Sequence, residues 1–153
     1  MSDVSKIAED LRSRGYKLPN AHVYIDCYGD TAELSEELLG LIGKGTKRAG
    51  TSLLWEHEAQ NEPLPAVGDI AIVLSFSEEP RFVTRNVSVE VVSYDAVSPE
   101  YAAIEGEGDK TLEYWREAHW SYFSRVCADL GREPSPNMPL VCTIFEVLYE
   151  IHS

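Results

Sequence analysis

The sequence predicts an α+β fold, a small β-barrel with flanking helices. Three observations point there. Stretches of strand character mostly follow one another, with helical segments inserted between them. The stretch from about Leu140 to Ile151 is apolar on both faces, as in a strand central to a sheet or part of a closed barrel. The 153 residues, 44% hydrophobic and 25% charged, suit one domain with one sizeable core. The expected organisation is one domain over residues 1–153, with residues 1–20 as an N-terminal helical extension.

Residues 4–14 read as a short helix, with Val4, Ile7 and Leu11 on one face. Proline and asparagine in "YKLPNAHVYIDCYGD" then lead into a short apolar stretch. A clearer helix follows. Asp30 can cap it, and Glu33 stands where a capping box wants an acid. Leu34, Leu38, Leu41 and Ile42 form its stripe, and Gly43 or Gly45 can end it in a left-handed conformation. Ser52–Trp55 reads as a strand, and "EHEAQNEPLPAVGD" as a polar connector with room for one helical turn. Ile70–Leu74 reads as a buried strand, "SFSEEP" as a turn, and 81–93 as a longer strand. In the latter, Val87, Val89 and Val91 alternate with Ser88 and Glu90. Residues 111–130 carry Leu112, Trp115, His119, Phe123, Val126 and Leu130 at helical spacing, and Gly131 ends the helix.

Charge and cysteine usage bound the function. The net charge is −13, from 26 acidic and 13 basic residues. That weighs against duplex nucleic acid, which needs a broad basic face, but not against a small basic pocket. No apolar run is long enough to span a membrane, so no membrane partner is expected. The polar N-terminus does not read as a secretory signal. Cys27, Cys127 and Cys142 are odd in number and widely spaced, which fits reduced thiols in a cytoplasmic protein.

Several catalytic motifs are excluded. Gly43-Lys44 is followed by Gly45, so the stretch "GKGTKRAGTSLLW" is not a Walker phosphate loop. There is no H-E-x-x-H helix and no G-x-S-x-G elbow, and the four histidines lack ligand spacing. What remains is a basic loop with Lys44, Lys47 and Arg48, bordered by the hydroxyls of Thr46, Thr51 and Ser52. Lys47 serves either as a solvated cation near a helix C-terminus or as a stabiliser of a phosphate or oxyanion. Strand alternation sends Thr51 and Ser52 to opposite faces, so at most one faces a given pocket. Arg85, in the acid-free "PRFVTRNVSV", is either a solvated strand residue or a phosphate fork. Further along, Glu105, Glu107 and Asp109 surround two glycines. Such a block is a polar, flexible loop, a holder of Mg2+ or Mn2+ through oxygen ligands, or the source of a general base. His119 and Trp115 sit on an apolar stripe and read as core. Tyr94 and Trp120 fall outside the main stripes, where an aromatic ring can stack on a base.

These blocks, with "CYGDTAELSEELLGLI", "VGDIAIVL" and "PLVCTIFEVLY", resemble the ASCH family (activating signal cointegrator homology) over most of the chain, in its longer bacterial form. The resemblance implies a PUA-like barrel and RNA, or a modified nucleoside, as the ligand class. The family's G-x-K-x-x-T signature falls on Gly45 and Lys47, with Gly50 at the threonine position and Thr51 immediately after. Glu105 matches the family's E-G-x-G-D block. The resemblance implies Lys47, Thr51 and Glu105 as catalytic residues; Arg48, Arg85, Tyr94 and Trp120 are the substrate-binding candidates that the residues themselves suggest. Two activities are implied: divalent-metal-dependent cleavage of single-stranded RNA, which leads, and amide hydrolysis of N4-acetylcytidine. A non-catalytic RNA- or nucleotide-binding module is the third reading.

Overall fold

A computed structural model describes residues 3–152; Met1 and Ser2, the start of the expected N-terminal extension, and Ser153 lie outside the described residues. The element order is α1 (Val4–Ser13), β1 (Val23–Cys27), α2 (Ala32–Lys44), β2 (Ala49–Leu53), α3 (Leu54–Ala59), β3 (Ile70–Leu74), β4 (Pro80–Ser93), α4 (Pro99–Glu105), α5 (Leu112–Leu130) and β5 (Pro139–Glu150). The five strands form one mixed sheet in the order β1-β3-β4-β5-β2. Only β1 and β3 run parallel; the other three pairings are antiparallel. The long β4 and β5 are its spine, and register shifts near Val83/Thr84 and Asn86/Ser88 are bulges of the kind that bend a sheet. The result is a five-strand half-barrel with flanking helices, as the sequence predicts. β5 is central, between β4 and β2, which accounts for its apolar residues on both faces.

Three apolar clusters fill the space between sheet and helices. Trp115, Phe123 and Cys127 of α5 pack with Leu53, Leu140 and Cys142 of β2 and β5. Leu39 and Ile42 of α2 pack with Val73, Phe82 and Phe145. Ala8 and Leu11 of α1 pack with Ile70, Ile72 and Leu74, so the N-terminal helix contributes directly to the core.

Local signals set most boundaries. The side chain of Thr31, not Asp30, caps α2 by accepting from the Leu34 N–H, and Asp30 instead pairs with Arg125. That cap places Glu33 one residue short of the position a capping box requires. α2 ends at Gly45, whose φ of +84° is left-handed. Thr111 and Gly131 cap α5 in the same way. Two further expectations are corrected. The strand expected at Ser52–Trp55 instead starts at Ala49, pairs with β5 as far as Leu53, and then turns into α3. The segment before Gly106 is helix rather than loop.

Candidate active site

That unexpected helix, α4, supplies half of the site. The Ser98 side chain caps it by accepting from the Tyr101 N–H, proline occupies its first turn, and Gly106 ends it at φ +71°. Tyr101 and Glu105 are four residues apart and so share a helix face. Gly106 allows the end of α4 to press on the basic loop: a Cβ there would lie 2.1 Å from the Thr46 carbonyl oxygen. The Arg48 N–H closes the same contact by donating to the Ile104 carbonyl at 2.9 Å.

The basic loop is held from the other side as well. The N–H groups of Thr46 and Lys47 both donate to the Leu41 carbonyl, and the Arg48 guanidinium donates to the carbonyls of Ile42 and Lys47, each at 2.8 Å. Arg48 thereby serves the C-terminus of α2. With the backbone fixed, the Lys47 side chain points inward and is 1% exposed. Its Nζ donates to the Ala49 carbonyl at 2.7 Å, to Glu105 at 3.1 Å and to Glu107 at 2.8 Å. Those three bonds use all three ammonium protons. The Tyr28 ring lies 5.3 Å from the same ammonium.

Glu105 is the hub, itself 1% exposed. One carboxylate oxygen takes the Lys47 bond and faces His119 Nε2 at 3.4 Å; the other accepts from the Thr51 hydroxyl. Tyr101 places its hydroxyl 3.0 Å from Thr51 Oγ1 and donates to the Gly50 carbonyl at 2.7 Å. His119 donates from Nδ1 to the Trp115 carbonyl at 2.9 Å, which leaves Nε2 to Glu105. Ser52, on the opposite face of β2, bonds His57 at 2.8 Å and stays apart from this cluster.

The charges are interdependent. Burial would raise the Glu105 carboxyl, but Lys47 and His119 hold it well below its ordinary value. Burial would lower Lys47, but Glu105 and Glu107 raise it instead. His119 follows the same logic: burial pulls it down and Glu105 lifts it above its ordinary value. Glu107 is pushed up by burial, and Glu105 adds to that push. Tyr101 is held well above a free phenol by burial and by Glu105, so its hydroxyl keeps its proton.

Gly50, at the signature's threonine position, has a packing reason. A Cβ on it would meet the Tyr28 ring at 2.8 Å. The ring fills the space a side chain would take there, and the hydroxyl comes from Thr51, which reaches Glu105. Beside Tyr28, burial pushes the Asp26 carboxyl up to about 6.

Of the residues expected at the site, Lys47, Thr51 and Glu105 meet, and Arg48 borders them through backbone bonds. Arg85, Tyr94 and Trp120 lie elsewhere. Arg85 pairs with Glu146 on the exposed face of the sheet. Tyr94 is buried and donates to the Arg116 carbonyl at 2.6 Å, with Trp120 packed 5.3 Å from its ring. Sequence reasoning missed Tyr28 and Tyr101 and favoured a core reading of His119. The four-residue spacing of Tyr101 and Glu105 is the available signal once α4 is recognised.

Glu105, Glu107 and His119 offer ligand atoms all within 4.8 Å of one another. Their donor set does not fit Mg2+ or Mn2+ as arranged, because the Lys47 ammonium already bonds both carboxylates.

Comparison with known proteins identifies the family. The family model described as ASCH domain matches residues 24–149. The chain belongs to the ASCH domain family. ASCH domains generally bind RNA. The crystal structure of an ASCH domain from Lactobacillus crispatus JV V101 is 31% identical, with a TM-score of 0.83 over 96% of this chain and 94% of that one. A protein from Enterococcus faecalis V583 is 30% identical, with a TM-score of 0.79 over 95% of this chain and 87% of that one. A third structure, of a hypothetical protein, shares 16% identity and a TM-score of 0.57 over 82% of this chain and 99% of its own, a likeness of fold alone. No curated protein matches the chain. Among the described residues, no helix is long and apolar enough to cross a membrane.

Proposed function

We propose that this ASCH domain is an amidohydrolase acting on N4-acetylcytidine or a related acylated nucleoside. One observation carries the reading. The Thr51 hydroxyl donates to one oxygen of Glu105 while Lys47 holds the other. A nucleophile bonded to a base, with the base oriented by a third group, is the arrangement covalent hydrolysis requires.

The roles follow from the contacts. Thr51 Oγ1 attacks the acyl carbon, and its proton passes to Glu105. Glu105 returns that proton to the leaving nitrogen as the C–N bond breaks, which leaves the acyl group on Thr51. Water then attacks the ester, giving one proton to Glu105, which returns it to Thr51 as the carboxylic acid departs. Lys47 keeps Glu105 ionised and fixed in orientation. Tyr101, anchored by its bond to the Gly50 carbonyl, places its hydroxyl oxygen against Thr51 Oγ1.

This ordering reverses the one the sequence favours, where metal-dependent cleavage of single-stranded RNA leads. The nominated cations are already engaged: Lys47 by two carboxylates, Arg48 by two carbonyls and Arg85 by Glu146. They are poorly placed to neutralise a scissile phosphate. The test has two arms. N4-acetylcytidine is incubated with the protein and the products are separated by chromatography; cytidine is expected, and its absence overturns the proposal. Single-stranded RNA is incubated with and without Mn2+. Cleavage that depends on Mn2+ and is lost in Lys47→Ala would restore the ribonuclease reading.

A further inference from the structure

A cleft formed by β4, β5 and α4 lies on the far side of Tyr101 and Cys142 from Thr51. It has a volume of about 340 Å3, at the lower end of small-molecule sites. Val92 and Ile104 give it apolar walls, and Tyr101 and Cys142 line its inner side. Strand register connects it to the site. Cys142 pairs with Glu90 on β4 and with Thr51 on β2, so the three form one row on one face of the sheet. With neighbouring strands about 4.8 Å apart, Glu90 and Thr51 stand about 10 Å apart along that row. Tyr101 lines the cleft and also meets Thr51 Oγ1. An occupant of the cleft therefore lies against Tyr101, which meets the proposed nucleophile, and against Cys142, which pairs with it across the strands.

The charge of the cleft is one-sided. Glu90 and Glu100 line it and both are exposed, while no Lys, Arg or His is among its described lining residues. A phosphate placed there meets two carboxylates without a cation, which is unfavourable even when partly screened. A neutral base and sugar instead find apolar walls and hydroxyl and carboxylate partners.

We infer that this cleft is the substrate site for an unphosphorylated acylated nucleoside, with Glu90 and Glu100 as specificity residues that reject nucleotides and RNA. The inference rests on the amidohydrolase reading for its chemistry, and its test separates the two. Binding is measured by calorimetric titration in a Thr51→Val background, so that the ligand persists. The probes are N4-acetylcytidine and its 5′-monophosphate. The nucleoside is expected to saturate the protein, with the monophosphate weaker by about tenfold or more. Adding Glu90→Gln and Glu100→Gln is expected to narrow that gap to within about threefold. Ala96→Trp, at an exposed position lining the cleft, is expected to weaken the nucleoside by about tenfold or more. Equal affinity for the two probes, a gap unchanged by the glutamines, no effect of the tryptophan, or no nucleoside binding would each overturn the cleft. Cytidine production by wild type together with any of those results overturns the cleft alone. The expected binding pattern without cytidine production supports the cleft and overturns hydrolysis.

Discussion

Lys47 and Arg85 make an instructive pair. Each is a cation within an acid-free stretch, and each meets a carboxylate. Arg85 and Glu146 are both more than 40% exposed on the outer face of the sheet. Lys47 and Glu105 are each 1% exposed and are joined by Glu107, His119 and Thr51. An exposed pair is screened by water and contributes about 0–1 kcal/mol. A buried pair has lost its hydration, so each member depends on the other to remain charged. A cation and a carboxylate thus give a solvated surface pair in one region and a buried, interdependent network in the other. The difference is burial, which charge patterning along the sequence does not reveal.

The sharpest break in that comparison comes from removing one buried partner. Glu105→Ala leaves Lys47 and His119 buried without their main counter-charge, and is expected to destabilise the fold by about 3–5 kcal/mol. Arg85→Ala, as its surface counterpart, is expected to cost under about 1 kcal/mol. Urea denaturation of both variants measures the contrast, and similar losses would show that burial does not separate the two pairs. Gly106→Ala comes next, at about 2–4 kcal/mol, because it combines a positive φ with a Cβ that collides with the Thr46 carbonyl. Its thermal midpoint should fall accordingly.

The pH dependence is a gentler probe of the same network. His119 has a folded pKa above 6.5 because Glu105 outweighs burial. Its contribution is complete below pH 6.5 and is lost as pH rises through the folded value. Glu105 lies well below 4.5, since Lys47 and His119 outweigh burial. Its contribution is complete above pH 4.5 and is lost as pH falls through the folded value. His119→Gln should therefore flatten the decline in stability above pH 6.5 and, because His119 helps hold Glu105 down, move the acid limb to higher pH. An unchanged alkaline limb would show that His119 is neutral in the fold. Asp26 tests the opposite sign, because burial raises its carboxyl to about 6. Asp26→Asn should be stabilising by up to about 3 kcal/mol at pH 8, with little effect at pH 4.

Much of the fold was legible for physical reasons. α2 and α5 are long enough for a 3.6-residue period to repeat, and glycines end both. The continuous apolar run of β3 and the alternation within β4 identify strands. α4, at seven residues, is too short for a periodic signal, although Ser98, Pro99 and Gly106 marked its two ends. Leu54 and Trp55 extend an apolar run that reads as strand, yet the chain turns to helix there, just past the last paired residue, Leu53.

The site was legible only in part, and for a related reason. Lys47, Thr51 and Glu105 came from the resemblance to the ASCH family, not from spacing. Their convergence depends on α4 crossing the basic loop, which no local pattern encodes. Gly50 is the clearest case. At the signature's threonine position it looks like a lost function, while in the fold Tyr28 occupies the space and Thr51 supplies the hydroxyl. Tyr28 lies more than 20 residues away in sequence, so this packing is visible only in three dimensions.

The central claim is that Thr51, activated by Glu105, is the nucleophile of an amidohydrolase. The most direct test is the initial rate of cytidine release from N4-acetylcytidine by wild type, Thr51→Ser and Thr51→Val, with folding verified by circular dichroism. The serine variant should stay within about tenfold of wild type, and the valine variant should fall by about a thousandfold or more. Valine at the wild-type rate, or no cytidine from wild type, would contradict it.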